Sequence, residues 1–459
     1  MSGLFGAINP ATGEKISEYP YTSKEELNRI VERSFKAYEL QKEIGYQERA
    51  ANLKKFADLL DERVDELAKL ITDEMGKPLS ASKQEVEKAA KHARFYAGKA
   101  NEFLAPKPVK TEAKSSYVRY EPLGPIYQII PFNFPLWLSL KSAIPILLIG
   151  NTIIHRNAKT CPDVGIALEK LFFDAGFTNG EFLNVFTDHK QTEELLANPK
   201  VRGVTFTGSS AAGSKIAETA GKYLKKAVME LGGSDAVIIL DDANIDTATT
   251  MAVNSRLRNG GQTCTAGKRF IIDEKIYDEF IDKLIPKVKA FKIGSPYEKD
   301  TQLGPLAGKS VVKTLQEQIE QGIKEGGKVI LEGGPANEEN LSKGFYFHPA
   351  IVEVDENNVL FKEETFGPVF AVIRAKGVEH ALQLANNSQY GLGAVVIGED
   401  RVRAEKLGSR LEAGYVSINK PVSSDSRLPS GGIKNSGFGR ECGEWGLYEF
   451  ANIKAVWLD

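Results

Sequence analysis

Cys264 stands in a short loop of small residues, a setting that suits a reactive thiol. The segment 259–267 reads NGGQTCTAG and leads directly into the apolar segment 269–272, which reads as a strand. A cysteine taken alone is more often a small buried apolar residue than a nucleophile. Two other segments of the chain, however, supply groups that covalent chemistry at a cysteine requires.

Glu230 and Asn133 are the candidates for these groups. Glu230 lies among apolar residues just before two glycines, and burial of this kind raises the pKa of a carboxylate toward that of a general base. Asn133 lies between two prolines that restrict the backbone, so its amide is a plausible donor to an oxyanion. Taken singly, Glu230 reads as a salt-bridged structural acid and Asn133 as part of a turn.

Phosphate-binding loops of the two common types are missing. No Gly-x-Gly-x-x-Gly motif follows a strand, and segment 208–215 resembles a Walker loop only in part. Its lysine comes one place late, and Ile216 replaces the magnesium-binding hydroxyl, which argues against nucleotide hydrolysis. A strand at 203–206, a turn at Gly208 and Ser209, and a helix whose N-terminal amides could contact one phosphate remain.

The elements that must position these residues change in character near residue 115. Amphipathic helical patterns occupy most of the first hundred residues, at about 23–41, 46–75 and 82–104. Strands and helices alternate from about residue 125, and a second such series begins at about residue 236. This rhythm predicts an α/β fold with doubly wound parallel sheets, which bind nucleotides at the carboxyl ends of their strands.

Bulk composition excludes several classes of protein. A chain of 459 residues predicts at least two domains, and a net charge of -2 argues against a nucleic-acid partner. Three cysteines and five scattered histidines fit neither a disulfide framework nor a metal site. We expect a cytoplasmic protein without a membrane partner, because no export signal and no apolar run of spanning length is present.

The segments around Asn133, Glu230 and Cys264 resemble those of the aldehyde dehydrogenase superfamily. Two further motifs carry the resemblance, EETFGPV at 363–369 and GGIKNSGFGRE at 431–441, and it covers nearly the whole chain. It implies two doubly wound Rossmann-like α/β domains and a small β oligomerisation arm. The expected division is an NAD(P)-binding domain at 1–104 and 123–232, a catalytic domain at 233–435, and an arm at 105–122 and 436–459. The resemblance also implies a homodimer or homotetramer. The tail at 451–458 alternates weakly, and we expect it to pair with the Ser115 strand of a partner.

The resemblance implies a role for each residue of the chemistry. Cys264 is the nucleophile, Asn133 is the side-chain oxyanion donor, and Glu230 is the base that hydrolyses the thioester. Relatives that pass the acyl group to coenzyme A usually lack this acid, so we expect hydrolysis to a carboxylate. A non-catalytic structural or binding homologue is the alternative of another class, and the retention of all three residues argues against it.

The resemblance also assigns residues to the nicotinamide half of the coenzyme. Glu364 and Phe366 match the positions that hold the nicotinamide ribose and ring. Phe132 and Ser209 match positions near the pyrophosphate, and Gly208 belongs to the same turn as Ser209. We expect these five residues to contact the coenzyme.

The adenosine half is where the sequence departs from the family. Members that prefer NAD carry a Lys-Pro-Ser-Glu segment whose glutamate accepts from the ribose 2′-hydroxyl, whereas residues 156–159 read Arg-Asn-Ala-Lys. Arg156 and Lys159 form a basic pair suited to a 2′-phosphate. NADP is therefore the expected preference with NAD possible, and the alternative is that Lys159 points into solvent.

Three positions suggest a substrate that carries its own carboxylate. Lys141 and Arg258 match positions where similar succinate-semialdehyde dehydrogenases have arginines that hold the distal carboxylate, and Ser424 matches a hydroxyl donor of that branch. The segment 424–429 is most similar to the bacterial members, so succinate semialdehyde is the expected substrate.

Two departures keep another small polar aldehyde, of the glyceraldehyde or lactaldehyde type, as the alternative. Lysine replaces arginine at 141, which keeps the charge and loses bidentate geometry. Ser430 stands where the family usually has an aromatic residue, and we expect it to enlarge or polarise the pocket. Ala266 replaces a second cysteine of the loop, so no disulfide switch is expected there.

Overall fold

The computed structural model describes residues 3–459. The helices are α1 (Lys24–Gln41), α2 (Tyr46–Glu62), α3 (Val64–Met75), α4 (Leu79–Leu104), α5 (Trp137–Leu148), α6 (Pro162–Asp174), α7 (His189–Ala197), α8 (Ser210–Lys222), α9 (Ile245–Leu257), α10 (Tyr277–Lys289), α11 (Lys309–Lys324), α12 (Val359–Lys362), α13 (Gly377–Asn386), α14 (Arg401–Gly408) and α15 (Gly443–Tyr448). A short 3-10 helix spans Arg258–Gly261.

The strands fall into two large sheets and several small ones. They are β1 (Leu4–Phe5), β2 (Tyr19–Pro20), β3 (Lys107–Pro108), β4 (Ser115–Pro122), β5 (Pro125–Ile129), β6 (Thr152–Arg156), β7 (Phe182–Asn184), β8 (Gly203–Thr207), β9 (Lys226–Glu230), β10 (Asp235–Ile239), β11 (Gly267–Asp273), β12 (Lys328–Leu331), β13 (Gly334–Pro335), β14 (Phe347–His348), β15 (Ala350–Glu353), β16 (Val369–Ala375), β17 (Tyr390–Gly391), β18 (Gly393–Ile397), β19 (Tyr415–Ile418), β20 (Ile433–Lys434), β21 (Gly437–Phe438) and β22 (Ala451–Leu458).

The helical region at the start of the chain follows the predicted pattern with two changes. Ser23 caps α1 by accepting a hydrogen bond from the backbone N–H of Glu26, as its sequence spacing predicts. The segment predicted as one helix at 46–75 is two helices, because Arg63 leaves the helical conformation at φ -105° and ψ 21°. The helix predicted at 82–104 is α4, which begins at Leu79, three residues before the predicted start.

The first large sheet has the strand order β21-β9-β8-β5-β6-β7, and all its pairings are parallel except that between β21 and β9. The central strand β5 is buried along its whole length. Its residues alternate between two cores, since Ile126 packs with the α2–α6 side and Tyr127 with the side of α1, α7 and α8. Burial on both faces explains why the strand reads as a continuous apolar run.

The second large sheet has the order β12-β15-β16-β11-β10-β18-β19, and only the β12–β15 pairing is antiparallel. Strand β10 again alternates between cores, with Ile238 facing the side of α11 to α14 and Val237 facing α9 and α10. The two sheets confirm the predicted α/β architecture with parallel, doubly covered strands.

A three-stranded antiparallel sheet joins the two ends of the predicted arm. Strand β22 pairs with β4 over eight residues, from Ala451 opposite Pro122 to Leu458 opposite Ser115. The sequence suggested that this tail would pair with the Ser115 strand of a partner, and that expectation is wrong, because the pairing lies within one chain. Phe450 explains the placement: its side chain is buried and its carbonyl accepts from Asn151, which brings the tail beside β4.

Within residues 3–459, no helix combines the length and apolar character needed to cross a membrane. In the same part of the chain, no group of three or more His, Cys, Asp or Glu side chains is arranged to hold a metal ion.

Candidate active site

The loop that carries Cys264 depends on glycine. Between α9 and β11, Asn259, Gly260 and Gly261 have positive φ values of 56°, 63° and 75°. A Cβ atom on Gly261 would lie 2.3 Å from the carbonyl oxygen of Gly367. The close approach and the left-handed backbone together explain why this segment consists of small residues.

Lys268 holds the same loop in place through hydrogen bonds. Its side chain is fully buried, and its Nζ donates to the carbonyl oxygens of Cys264 at 2.6 Å and Thr263 at 3.1 Å. On the other side, the backbone N–H of Ala307 donates to Oε1 of Gln262 at 2.9 Å. The cysteine is therefore held by contacts on both sides of its backbone, which nothing in the sequence pattern indicated.

A single cavity brings together six of the residues predicted from the sequence. Its volume is about 210 Å³, and its walls include both the candidate catalytic residues and the candidate substrate residues: Asn133, Lys141, Glu230, Arg258, Cys264 and Ser424. These residues come from β9, α5, the 3-10 helix at Arg258–Gly261 and three separate loops. The structure thus assembles in one place residues that lie up to about 300 positions apart in the chain.

Glu230 has the environment of a general base. It ends β9, its side chain is 7% exposed, and burial raises its pKa to about 7, although the nearby charge of Lys141 opposes this rise. Oε2 lies 3.3 Å from Nζ of Lys141, while Oε1 is buried and accepts no hydrogen bond from the described residues. A carboxylate with a pKa near neutrality and a free oxygen can accept a proton from water or from a thiol.

The thiol of Cys264 is a weak acid in this structure. Burial raises its pKa to about 11, and the charges of Lys268 and Lys141 only partly offset that effect. Because the thiolate is the reactive form, a base or a change of environment has to remove the proton before attack.

Asn133 presents its side-chain amide to the cysteine loop. Its Nδ2 donates to the carbonyl oxygen of Gln262 at 3.1 Å. An amide nitrogen carries two hydrogens, so one N–H remains for an oxyanion. The backbone carbonyl of Asn133 accepts from Nδ2 of Asn259 and from Nζ of Lys77, both at 2.9 Å, which fixes the segment that carries the amide.

Lys77 belongs to a buried ion pair that the sequence did not reveal. Its Nζ lies 2.5 Å from Oε2 of Glu85, and both side chains are 1% exposed. Oε1 of Glu85 accepts from the backbone N–H groups of Leu136 at 3.0 Å and Trp137 at 2.9 Å, where α5 begins. The pair therefore connects α4 to the segment that carries Asn133.

Lys141 forms ion pairs with two carboxylates that the sequence did not connect with it. Its ammonium lies 2.7 Å from Oε2 of Glu441 as well as 3.3 Å from Oε2 of Glu230, and all three side chains are almost completely buried. Glu441 ends the second of the motifs that carry the family resemblance, but no local pattern of the sequence pairs it with Lys141.

Tyr415 lines the part of the cavity that a serine at position 430 was expected to enlarge. Ser430 is fully buried, does not line the cavity, and receives a hydrogen bond from the hydroxyl of Tyr415. The side chain of Tyr415 does line the cavity. An aromatic residue from β19 therefore stands beside the position where the family has one.

The residues predicted for the nicotinamide half lie beside the cysteine loop and outside the cavity. Oε1 of Glu364 accepts from the backbone N–H of Gly233 at 3.1 Å and lies 3.5 Å from Nζ of Lys268. The rings of Phe132 and Phe366 are 5.9 Å apart in an edge-to-face arrangement. Glu364 is thus connected to the loop of Cys264 through Lys268. Phe366 directly precedes Gly367, whose carbonyl oxygen lies against Gly261 of that loop.

The residues predicted for the adenosine half and the pyrophosphate lie at the carboxyl edge of the first sheet. Arg156 ends β6, Gly208 follows β8, and Ser209 caps α8 by accepting from the backbone N–H of Ala212. Lys159 is half-buried. Its Nζ contacts the hydroxyl of Tyr21 and lies 4.8 Å from the centre of that ring. Its ammonium therefore has an aromatic neighbour, while the side chain stays partly exposed to solvent.

Comparison with known proteins agrees with this geometry. The Aldehyde dehydrogenase family matches residues 2–456 of the chain. A succinate-semialdehyde dehydrogenase (NADP(+)) of Deinococcus radiodurans is 40% identical over 98% of this chain and 94% of its own length. A succinate semialdehyde dehydrogenase (NAD(P)+) of Escherichia coli K12 is 37% identical over 99% of this chain and 97% of its own.

Solved structures give the same result for the fold. The crystal structure of a succinic semialdehyde dehydrogenase from Streptococcus pyogenes, in complex with NADP+, superposes with a TM-score of 0.96 at 34% identity, and it covers 99% of both chains. The predicted fold class and enzyme class are confirmed. The chain belongs to the aldehyde dehydrogenase family.

Proposed function

We propose that this protein oxidises succinate semialdehyde to succinate through a thioester on Cys264, with NADP as its preferred coenzyme. The observation that carries the proposal is the single cavity in which Cys264, Asn133 and Glu230 meet cationic and hydroxyl side chains. Relatives at 36% to 40% identity that are named as succinate-semialdehyde dehydrogenases support the choice of substrate.

The first step forms a bond between Sγ of Cys264 and the aldehyde carbon. Oε1 of Glu230 is free to accept the thiol proton, and the pKa of about 7 suits that task. The oxygen of the adduct takes a hydrogen bond from Nδ2 of Asn133 and a second from the backbone N–H of Cys264. Loss of one such donor typically costs about 3 kcal/mol of transition-state stabilisation.

When it is bound, the coenzyme supplies a nicotinamide ring that accepts the hydride from the adduct. Glu364 is suited to the nicotinamide ribose, because Oε1 is used by Gly233 while Oε2 accepts no hydrogen bond from the described residues. A Cβ atom on Gly232 would lie 2.3 Å from Oε2 of Glu364, so glycine is needed for this approach. Phe366 and Phe132 are suited to the ring and its neighbouring phosphate.

The rest of the dinucleotide would follow the carboxyl edge of the first sheet. Arg156 and the N-terminus of α8 lie on either side of β5, since both β6 and β8 pair with it. Gly208 and Ser209 form the turn that presents the α8 amides to a phosphate. Arg156 and Lys159 supply positive charge for a 2′-phosphate, and this charge supports NADP over NAD.

Hydrolysis of the thioester completes the reaction. Glu230 first releases the thiol proton to solvent and then removes a proton from a water molecule that attacks the acyl carbon. The C–S bond breaks, the thiolate of Cys264 is reprotonated, and succinate leaves. General-base catalysis of this kind contributes roughly 10²- to 10⁴-fold to the rate.

The proposal includes the assembly and the location of the protein. We propose a homodimer or homotetramer in the cytoplasm, with the arm at 105–122 and 436–459 as the contact and the domain division given above. Exposed apolar side chains on β22, which include Ile453, Trp457 and Leu458, support a contact there. The free state of Cys161, Cys264 and Cys442 is compatible with a reducing compartment.

The deciding experiment measures kcat/KM for succinate semialdehyde, propanal and glyceraldehyde, each with NADP and with NAD. We expect a preference of about tenfold or more for the acid aldehyde, which corresponds to about 1.4 kcal/mol of selective transition-state binding. A preference for the neutral aldehydes would contradict the proposed substrate. The Cys264→Ala variant is expected to be inactive, and full activity in it would contradict the thioester mechanism.

A further inference from the structure

The cavity beside Cys264 carries more positive than negative charge. Among its lining residues are four cationic side chains and two carboxylates: Lys77, Lys88, Lys141 and Arg258, and Glu85 and Glu230. Lys77 pairs with Glu85 at 2.5 Å, and Lys141 lies 3.3 Å from Glu230 and 2.7 Å from Glu441 behind the wall. Within residues 3–459, Lys88 and Arg258 pair with no carboxylate.

Lys88 has neighbours that hold its ammonium in the cavity without neutralising it. Nζ donates to the hydroxyl of Ser424 at 2.8 Å and lies 4.2 Å from the centre of the Trp137 ring. Arg258 has a similarly open environment, with one hydrogen bond from Nη2 to the hydroxyl of Thr265 at 3.3 Å. Lys88 is a half-buried cation without a counter-ion, which is costly to maintain. Together with the exposed Arg258 that lines the same cavity, it favours an anionic ligand.

We propose that Lys88, together with Arg258 and Ser424, binds the carboxylate of the substrate, and that Lys141 holds Glu230 instead. The inference rests on the proposed function, because an acid aldehyde brings the anion that the two cations lack. It changes the role expected for Lys141, whose charge is already shared between Glu230 and Glu441. It also assigns a substrate contact to α4, which the sequence did not connect with the site.

A purely structural role for Lys88 is the competing explanation. Lys88 and His92 lie four residues apart and therefore on one face of α4. Nδ1 of His92 is 2.7 Å from the hydroxyl of Ser426, so the loop that carries Ser424 has a second anchor on the same helix. The loop is thus held to α4 without Lys88. Anchoring the loop therefore does not explain why a charged residue occupies position 88.

The experiment compares three variants on two matched substrates. Lys88→Gln removes the charge and keeps a donor for Ser424, Lys88→Met removes both, and Lys88→Arg keeps the charge. The substrates are succinate semialdehyde and its neutral methyl ester, with NADP at saturation. We expect Lys88→Gln and Lys88→Met each to lower kcat/KM for the acid by about tenfold or more, mainly through KM, while the ester changes less than about twofold. Lys88→Arg is expected to restore most of the activity on the acid.

The outcomes separate this inference from the proposed function. If the wild-type enzyme prefers the acid and Lys88→Gln does not reduce that preference, the role of Lys88 is contradicted and the function stands. Equal losses on acid and ester in both uncharged variants would indicate a structural role and would also overturn the inference. If the wild-type enzyme has no preference for the acid, the proposed function fails. In that case the dissociation constant of succinate, measured by calorimetry, decides whether Lys88→Gln weakens carboxylate binding as expected or leaves it unchanged.

Discussion

Nζ of Lys141 lies 3.3 Å from Oε2 of Glu230, and the two groups are buried side by side next to Cys264. The same ammonium lies 2.7 Å from Glu441. One cation therefore stands between the candidate base and a second carboxylate. Without it, two buried carboxylates would face each other with no charge between them, and the charge of Glu441 would raise the pKa of Glu230 further.

Removal of Lys141 should move the pH dependence of turnover. Burial sets the pKa of Glu230 at about 7, and the charge of Lys141 lowers it from an even higher value. Glu230 acts as a base only when it is deprotonated, so Lys141→Gln should shift the rising limb of kcat against pH to higher pH. A loss of about tenfold at pH 7 is expected, and much less at high pH. Pre-steady-state and steady-state pH profiles check this, and an unshifted limb would contradict it.

Substitution of Glu230 should trap the acyl enzyme. Glu230→Gln keeps the size of the side chain and removes the base, so thioester hydrolysis should slow by roughly 10²- to 10⁴-fold. If Glu230 also accepts the thiol proton, attack by Cys264 slows at neutral pH and recovers as the pH approaches the raised pKa of the thiol, about 11. Mass spectrometry at alkaline pH should then find a stable acyl adduct on Cys264. Full turnover without an adduct would exclude Glu230 as the base.

The buried pair of Lys77 and Glu85 should be important for stability. Glu85→Gln leaves a buried ammonium without its counter-charge, which typically costs about 3–5 kcal/mol in the free energy of unfolding. The double variant Lys77→Met, Glu85→Gln should lose less, because no charge stays buried. Asp65→Asn is the control, since Asp65 pairs with Lys83 on the exposed side of α4 and should cost less than about 1 kcal/mol. Urea unfolding measures all three, and a single variant as stable as the control would contradict the argument.

Coenzyme choice should depend on Arg156 and Lys159. Lys159→Glu replaces attraction of a 2′-phosphate by repulsion, and loss of a hydrogen bond to a charged group costs about 1.5–3 kcal/mol. The Kd of NADP should rise by about tenfold to a hundredfold, with little change or a decrease for NAD. Lys328→Glu, at an exposed position of the second sheet, controls for the change in net charge. Equal Kd shifts for both coenzymes would place Lys159 away from the 2′ position.

The parts of this site that the sequence predicts are those carried by local patterns. The glycines before Cys264 predict a tight backbone turn, and the apolar run before Glu230 predicts its burial. The alternation of strands and helices predicts the sheets. The contacts that decide which charged side chains neutralise each other join residues far apart in the chain. Lys88 meets Ser424 across 336 positions of the chain, and no local pattern reports such a contact.

The same reasoning applies to the neighbours of Lys141 and to the partner of the tail strand. Lys141 was a cation in a suitable place, but the sequence did not show that Glu441 would be placed 2.7 Å from it. The tail strand had the right alternation for pairing with β4, but its partner depended on where Phe450 is buried. Which groups neutralise each other, and which chain ends meet, are decided by tertiary packing.

Lys88 gives the substrate preference its own pH dependence. Its pKa is lowered to about 8 by burial first and then by the charges of Arg258 and Lys141. The titratable groups that act on it are Arg258, Lys141, Cys442 and Glu85. Below pH 8 the ammonium is charged and attracts a carboxylate, and above pH 8 it is neutral and the attraction is lost. The preference for succinate semialdehyde over its methyl ester should therefore fall as the pH rises through about 8.

The ratio of kcat/KM for acid and ester isolates this effect. Titration of Cys264 and Glu230 changes turnover of both substrates alike, so it cancels in the ratio. Lys88→Arg should keep the ratio high to at least pH 10, because a guanidinium stays charged there, and Lys88→Gln should give a low ratio at every pH. A wild-type ratio that stays constant from pH 6 to pH 10 would mean that Arg258 alone attracts the carboxylate, since its charge does not change over that range.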